Sequence, residues 1–319
     1  MKRNHESFKE ILSYPYRLYL SGWYALTSRM PLGTNVFSKD WDVLVILDTC
    51  RVDALEAVAD EYDFLDGRAI DSITSVGSAT PEWIANTFTN EYREEIAETA
   101  YTSMNVYSAK ILEGGDDPYT SNEPLFDLVD WDIVPASEFG NFYSALQSNP
   151  EDDEQFSPQV LTDRAISLHR SMDPTRHIIH YKHPHTPYTR AARTEDRDLH
   201  DYERRPLKHL AEGTVAKETV WELYLDELRW ALDHVEVLLQ SIDAESVVLT
   251  ADHGECFGEL GVHRHPIGVP HPTLRRVPWV ELSATDTGEY EPEYSHETDS
   301  EDTGPDDDVQ QHLEHLGYV

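Results

Sequence analysis

The chain has 319 residues and carries 25 lysines and arginines against 61 aspartates and glutamates, a formal net charge of −36. Its hydrophobic fraction of 39%, with seven tryptophans and seventeen tyrosines, is that of a folded protein and excludes an acidic disordered chain. Such a surface also excludes nucleic acid as a partner, because phosphate binding requires a basic footprint. Since the Debye length is roughly 3 Å at molar salt, self-repulsion is screened there, and the composition indicates a salt-adapted protein.

Residues 1–40 predict an N-terminal helical segment without a signal peptide, and no run of about 18 apolar residues predicts a membrane-spanning helix. Residues 14–30 are rich in aromatic side chains with scattered arginines, which suits a membrane interface. A helix packed against the domain is the interpretation we favour. The two cysteines, Cys50 and Cys256, indicate a reducing compartment. We therefore expect a cytoplasmic protein, with peripheral attachment to the inner membrane face as the alternative.

The first core element is a buried strand over residues 42–47 (DVLVIL), which runs into Asp48. The segment that follows spaces alanine, leucine and valine as an amphipathic helix does. We expect Asp53 to cap this helix, and Arg51 to be a structural tie or a partner of Asp48. A strand, an aspartate at its tip and a helix are typical of an α/β active site.

A hydroxyl-bearing turn comes next, in residues 73–83 (ITSVGSATPEW). Pro81 suits the first position of a helix that continues through PEWIANTF. Thr80 is then either an ordinary helix cap or an alcohol nucleophile facing an anion at the helix N-terminus. Ser78 is a rival nucleophile and a candidate substrate-binding residue.

The middle of the chain is less informative. Residues 90–153 are acidic and predict loops that contribute substrate-specific insertions, and 189–212 predict a charged lid or rim. Residues 161–171 predict a helix, and 177–181 (HIIHY) a short strand that delivers the segment KHPHTPY.

The most informative stretch lies near the end of the chain. Residues 220–242 have apolar side chains at helical spacing and predict a helix that leads into a buried strand at 246–250. Asp252 and His253 follow that strand directly. A carboxylate beside an imidazole is a pair of hard-to-borderline metal ligands, although a polar turn is the plainer interpretation. Ligands collect beyond the carboxyl ends of strands in such sheets, which favours a site here.

The remaining segments complete the predicted organisation. Residues 274–282 predict a further strand, and 285–308 an acidic linker before a short terminal helix. We therefore expect a catalytic domain over 41–283 and a linker with a C-terminal helix over 284–319.

Four motifs, taken together, resemble the sulfatase-like branch of the alkaline phosphatase superfamily, and their detailed sequences are similar to those of its haloarchaeal members. They read DTCRVDA, GSATPEW, HYKHPHTPY, and TADHGE followed by GELGVHRHP and RRVPW. The resemblance covers residues 40–90, 175–190 and 220–282. It implies an α/β fold with a mixed, largely parallel central sheet and helices on both faces.

The resemblance also implies a set of site residues. Thr80 would be the metal-bound nucleophile. In the last motif His265 falls at the position of a further metal- or substrate-binding histidine, with His263 and His271 as competitors. The metal ligands that the resemblance implies are Asp48, Thr80, Asp252, His253 and His265.

Two departures from the family pattern change what we expect. Sulfatases carry a cysteine or serine that is oxidised to formylglycine, but Ala79 stands at that position, so formylglycine is not expected. Relatives with two metal ions have an aspartate four residues before the histidine that corresponds to His185. This chain has Tyr181 at that position. A protonated lysine clamps anionic oxygens and does not ligate cations. We therefore expect one metal ion, with Lys182, His185 and His265 around the ester.

The expected function is metal-dependent hydrolysis of phosphate esters through Thr80, or phospho-group transfer in glycan or lipid metabolism. His185 or His265 would protonate the leaving alcohol, and Lys182 would neutralise anionic oxygens. The metal ion is Ca, Mg, Mn or Zn, since carboxylates favour the harder ions and imidazoles favour zinc. Two alternatives stay open: a true sulfatase with an unusual nucleophile, and a catalytically degenerate module that binds an anionic glycan or lipid headgroup.

Overall fold

A computed structural model describes residues 2–113, 129–145 and 157–295, with side chains from residue 15 onwards. The predicted terminal helix and most of the predicted acidic linker lie outside these residues. The strands are β1 Val43–Leu47, β2 Asp71–Thr74, β3 Thr99–Ser103, β4 Asn141–Ser144, β5 Arg176–Tyr181, β6 Ala244–Thr250, β7 Cys256–Phe257, β8 His263–Arg264 and β9 Arg276–Ala284. The helices are α1 Lys2–Thr27, α2 Val52–Val58, α3 Thr80–Thr87, α4 Arg93–Ala97, α5 Val106–Leu112, α6 Pro158–Met172, α7 Arg190–Thr194, α8 Asp201–Arg204, α9 Pro206–Ala211, α10 Lys217–Leu239 and α11 Pro272–Arg275.

Seven strands of the described residues form one sheet in the order β2-β9-β6-β1-β5-β3-β4. The strands from β6 to β4 pair in parallel, whereas β9 pairs antiparallel with both β6 and β2. The short strands β7 and β8 form a separate antiparallel pair. The sheet is thus mixed and largely parallel, as the sequence predicts.

Helices cover both faces of this sheet. Val43, Val45 and Leu47 of β1 point to one face, where they join a core with apolar side chains of α2, α6 and α10. Leu44 and Ile46 point to the other face and pack in a core with side chains of α3, α4 and α5. Successive residues of a strand alternate between faces, so a continuous apolar run indicates a strand that is buried on both sides. The predicted α/β fold class is confirmed.

Two local predictions were wrong. Residues 90–153 contain two strands of the main sheet, β3 and β4, in addition to loops. β3 reads TAYTS and lacks a β-branched apolar run; it pairs with β5 and β4, and its Tyr101 is buried in the core shared with α3, α4 and α5. Asp53 does not cap α2: the cap residue is Arg51, and Asp53 inside the first turn pairs with the Arg51 guanidinium at 2.6 Å.

The second half of α1 packs against the domain. Leu20 and Tyr24 are fully buried in a small cluster with Ala79, Ala85 and Ile267, close to the start of α3. Although α1 extends over 26 residues, neither it nor another helix of the described residues combines the length and apolarity needed to cross a bilayer.

His177 gives the fold a pH dependence that can be measured. This side chain is fully buried in β5, with its Nε2 atom 2.9 Å from Thr102 Oγ1 and its ring stacked on His169. Burial, followed by the neighbouring His169, lowers the pKa of His177 from 6.5 to about 3. The unfolded chain therefore takes up a proton between these values and the folded chain does not. The stabilisation is complete above pH 6.5 and is lost as the pH falls towards 3.

We predict that replacing His177 by glutamine flattens the acid side of the stability profile. In the wild type this group lowers the free energy of unfolding by about 1.4 kcal/mol per pH unit below its unfolded-state pKa. Urea unfolding of both proteins across this window measures the difference in slope. His200→Gln, at an exposed position, should keep the wild-type slope. Equal slopes for the wild type and His177→Gln would refute the assignment.

Candidate active site

Polar side chains gather where four neighbouring parallel strands end. Asp48 follows β1, Asp252 lies two residues after β6, His180 stands near the end of β5, and Asn105 lies two residues after β3. Because the carboxyl ends of parallel strands share one edge of the sheet, residues far apart in the sequence meet there. All four side chains are buried.

Three of these residues offer a set of ligand atoms for a metal ion. One atom each from Asp48, His180 and Asp252 lie within 4.8 Å of one another, and all three side chains are fully buried. Asp48 Oδ1 and His180 Nε2 have no hydrogen-bond partner within the described parts of the chain. A buried polar atom without a partner is costly, and a bound cation would satisfy both atoms. The residues present therefore fit a divalent ion.

The pKa shifts of the two aspartates in this cluster also indicate a cation site. Burial, and then the nearby carboxylates of Asp252 and Glu255, raise the pKa of Asp48 well above its usual range. Burial also acts to raise the pKa of Asp252, but the interactions with His253 and His180, together with hydrogen bonds from the Thr80 hydroxyl and the His253 backbone N–H, outweigh it, and the pKa of Asp252 is lowered. Two adjacent carboxylates in a dry pocket repel each other unless a proton or a cation lies between them. A divalent ion would allow both to be ionised.

His253 presents a lone pair to this cluster. Its Nδ1–H donates to Gly254 O at 2.9 Å, which assigns the free lone pair to Nε2. Nε2 lies 3.2 Å from Thr80 Oγ1, 3.6 Å from Asp48 Oδ1 and 3.4 Å from Asp252 Oδ2. Burial lowers the pKa of His253 and keeps the ring neutral. A neutral imidazole oriented through its other nitrogen is the form that ligates metals.

The Thr80 hydroxyl is directed into the cluster. Thr80 is the first residue of α3 and Ala79 is the cap residue, so Thr80 is not the helix cap. Its Oγ1–H donates to Asp252 Oδ2 at 2.7 Å, and the side chain is 4% exposed. The amide of Asn105 approaches the same oxygen at 3.3 Å. Thr80 is thus in contact with a carboxylate, an imidazole and an amide donor.

Asn105 is a site residue that the sequence analysis missed. Its Oδ1 accepts the backbone N–H of Tyr107 as the cap of α5, and its Nδ2 donates to Asp48 Oδ2 at 2.7 Å. This bond satisfies one oxygen of Asp48 and leaves the other directed at the cluster. An asparagine before a helix indicates only a cap in a sequence, so no local signal distinguishes this one.

The Ser78 hydroxyl is engaged in hydrogen bonds away from the carboxylates of the cluster. Its hydroxyl donates to Glu82 Oε2 at 2.9 Å and accepts the backbone N–H of Val269 at 3.1 Å. Glu82 also accepts the indole N–H of Trp23 in α1. These bonds tie α3 to α1 and to the loop after β8, and they give Ser78 no contact with the carboxylates of the cluster. Of the two candidate nucleophiles, the structure brings only Thr80 to the candidate ligands.

His265 lies at the open side of the site. Its ring packs at a tilt against those of His253 and His185, with ring centroids 4.6 Å and 5.1 Å away. Its Nδ1 lies 3.0 Å from Glu255 Oε2, and its side chain is 19% exposed whereas that of Glu255 is almost fully buried. Since the Glu255 carboxylate engages Nδ1 of His265, Nε2 is the ring atom left to exchange a proton with a substrate.

Lys182 and His185 follow β5 and are both buried. The positive charge of Lys182 is close enough to Asp48 to act on its carboxyl group, where it opposes the rise in pKa. His185 Nδ1–H donates to Thr186 O at 2.6 Å. Burial, and then His265, lower the pKa of His185 well below its usual range. His185 is therefore held neutral beside the site.

The other residues singled out in the sequence take structural positions. Nδ1 of His271 accepts the backbone N–H of Thr273 as the cap of α11, and His263 lies on the β7–β8 pair against Gly258. Arg51 does not contact Asp48. Its guanidinium instead joins Asp53, the carbonyl of Glu255 and the carboxylate of Glu259.

The backbone after β1 is held in a strained conformation. Thr49 has φ +68°, which is unfavourable for a β-branched residue. In this conformation its N–H points at Asp252 Oδ1, 3.3 Å away. The Tyr224 hydroxyl of α10 donates to the Thr49 carbonyl at 2.8 Å and accepts the Arg51 N–H at 3.1 Å. The helix thus stabilises the turn that positions Asp48.

Comparisons with known proteins give low similarity. No protein-family profile matches the sequence, and no curated protein matches it at a significant level. The chain is similar to the C-terminal periplasmic domain of a phosphoethanolamine transferase from Campylobacter jejuni (15% identity, TM-score 0.45, 77% of this chain and 79% of that one). It is also similar to the soluble domain of lipooligosaccharide phosphoethanolamine transferase A from Neisseria meningitidis (13%, 0.43, 76% and 75%) and to a 2-O GAG sulfatase (12%, 0.43, 77% and 64%). Sequence identities and TM-scores this low do not assign an activity to this chain.

We predict that the protein binds a divalent ion and that both aspartates are needed. Asp48→Asn and Asp252→Asn each remove a charge that the ion requires, so affinity should fall by about 100-fold or more. Calorimetric titration of chelator-treated protein with Ca, Mg, Mn and Zn measures this. Asp66→Asn, which removes one exposed charge, is the control and should bind as the wild type does. Undiminished binding by the two site variants would show that the ion lies elsewhere.

Proposed function

We propose that this chain is a metal-dependent enzyme of the sulfatase-like branch of the alkaline phosphatase superfamily that acts on phosphate esters through Thr80. The observation that carries the proposal is the contact between Thr80 Oγ1 and Asp252 Oδ2 at 2.7 Å, with His253 Nε2 at 3.2 Å. A threonine hydroxyl is a weak nucleophile until a base or a metal ion activates it. Asp252 is placed to act as the base, and a metal ion held by the neighbouring ligands would lie beside the same oxygen.

The metal ion would be held by Asp48, Asp252 and His253, with Thr80 as a further ligand and His180 as the candidate that the structure adds. When bound, a divalent ion lowers the pKa of a coordinated hydroxyl and offsets negative charge on ester oxygens. Two carboxylates favour Ca, Mg or Mn, and each imidazole favours Zn. We propose a single ion, since Lys182 replaces a second cation beside the ester.

The chain's own residues supply the proton transfers. Asp252 accepts the Thr80 proton along the existing hydrogen bond as Oγ1 forms a bond to phosphorus and the ester P–O bond breaks. His265 donates a proton from Nε2 to the leaving alcohol, with Nδ1 held by Glu255. His185 is held neutral by burial with its proton on Nδ1, donated to Thr186 O, so its Nε2 has no proton to give and His265 suits the role of acid better. Water then attacks phosphorus and the Oγ1–P bond breaks: His265 Nε2 takes the proton of the water, and Asp252 returns its proton to Oγ1. An acceptor alcohol would take the phosphoryl group in the same way.

Lys182 would neutralise negative charge on the non-bridging oxygens of the ester. Its buried ammonium group already opposes the rise in the pKa of Asp48. Ala79 precedes Thr80 and has no side chain that can be oxidised to formylglycine, so a phosphate ester is the substrate class we propose over a sulfate ester. Two free buried cysteines and the charge of −36 support a cytoplasmic enzyme that works at high salt.

Thr80→Ala is expected to abolish turnover. Removal of a covalent nucleophile costs about a thousandfold or more in kcat, whereas Thr80→Ser keeps a hydroxyl and should retain measurable activity. The assay is hydrolysis of p-nitrophenyl phosphate, bis-p-nitrophenyl phosphate and p-nitrophenyl sulfate in high salt with each metal ion. Mass spectrometry of acid-quenched enzyme should locate phosphate on Thr80.

Ser78→Ala is the matched control, since it removes the rival hydroxyl from the same turn. It should stay active, although the loss of its bonds to Glu82 and Val269 will lower the free energy of unfolding. Activity retained by Thr80→Ala and lost by Ser78→Ala would contradict the proposal. Faster cleavage of the sulfate ester than of both phosphate esters would indicate a sulfatase.

The choice of His265 as the acid predicts a dependence on the leaving group. An alkoxide or phenolate of high pKa needs a proton in the transition state, and p-nitrophenolate needs none. His265→Ala should therefore slow phenyl phosphate hydrolysis by about a hundredfold more than p-nitrophenyl phosphate hydrolysis. His263→Ala, two residues away, should slow neither substrate. Equal losses on both substrates in His265→Ala would exclude the role.

A further inference from the structure

Residues 16–32, which form the second half of α1 and the turn after it, carry most of the exposed large hydrophobic side chains of the described chain. Six of the eight large hydrophobic side chains that are exposed there lie between residues 16 and 32. Leu18 is 62% exposed, Leu26 50% and Met30 65%. Gly22 and Ala25 are exposed between Leu18 and Leu26, so these residues form one apolar stripe on the helix. Met30 extends this stripe three residues beyond the helix end at Thr27.

The opposite face of the same helix anchors it to the domain. Leu20, Tyr24 and Thr27 are fully buried. At the sides, the Tyr16 and Tyr19 hydroxyls donate to the carbonyls of Ile267 and Gly268. The stripe is therefore presented by a helix whose orientation is fixed by packing, beside the segment that follows His265.

The charge of this segment differs from that of the whole chain. The chain has 61 acidic residues among 319, yet no aspartate or glutamate occurs from residue 11 to residue 39. Within that stretch Arg17 and Arg29 stand exposed near the two ends of the stripe. An apolar helix face with aromatic side chains at its edges, arginines at its ends and no carboxylates fits the headgroup region of a bilayer.

We infer that the stripe of α1 docks on the surface of a bilayer with anionic headgroups, with the helix lying in the plane of the interface. Leu18, Leu26 and Met30 enter the acyl boundary, and the two arginines contact lipid phosphates. Repulsion between the acidic remainder of the chain and the anionic surface is screened beyond roughly 3 Å at molar salt. Apolar burial and direct arginine contacts persist there. This inference concerns a surface and does not rest on the proposed chemistry.

The test is cosedimentation of the full chain with vesicles of phosphatidylglycerol and phosphatidylcholine in molar salt. The triple variant Leu18→Ser, Leu26→Ser, Met30→Ser should bind about 30-fold or more weakly than the wild type, because three apolar side chains no longer enter the lipid. The control is Met172→Ser, Leu260→Ser, which removes the two large hydrophobic side chains exposed elsewhere in the described chain. It should bind as the wild type does.

Circular dichroism of each variant shows whether the fold is intact. Wild-type protein that stays in the supernatant would overturn the inference, as would equal binding by the triple variant. A protein that dimerises through the stripe, with dimerisation lost in the triple variant and no vesicle binding, would show that a second copy covers this face. Activity on soluble esters is independent of these outcomes.

Discussion

The structure depends on the close approach of two buried carboxylates, Asp48 and Asp252, at the ends of the adjacent parallel strands β1 and β6. Like charges in a dry pocket destabilise a fold unless a cation or a proton lies between them. The rest of the site supplies imidazoles from His253 and His180 and an amide donor from Asn105, and the ligand atoms of Asp48, His180 and Asp252 lie close enough together to share a divalent ion. Binding of a divalent ion would therefore be coupled to the stability of this edge of the sheet.

Residues outside the cluster hold these carboxylates in place. The strained turn at Thr49 directs a backbone N–H to Asp252, and the Tyr224 hydroxyl from α10 holds the carbonyl of that turn. Arg51 connects the same turn to the segment around Glu255. Rigid support of this kind matters for catalysis, since reacting groups misplaced by about 1 Å lose much of their rate advantage.

The helix that presents Thr80 is also joined to the surface of the molecule. Glu82, two residues later, receives the indole N–H of Trp23 from α1 and the hydroxyl of Ser78. The start of α3 is thus fixed from the outside by α1 and from the inside by the contact with Asp252. The proposed catalytic hydroxyl and the proposed lipid-binding face share one packed unit, so the orientation of each is set by the same contacts.

The sequence by itself determined the α/β class and two of the candidate ligand positions, because continuous apolar runs predict buried strands and Asp48 and Asp252 stand at their tips. The tertiary structure decided which of two nearby hydroxyls faces the cluster, since Thr80 bonds to Asp252 whereas Ser78, two residues earlier, bonds to Glu82. It also decided that His180 belongs to the cluster. The local sequence around a histidine in a strand does not indicate which residues will surround its side chain. Those contacts form only when parallel strands that are far apart in the chain lie side by side.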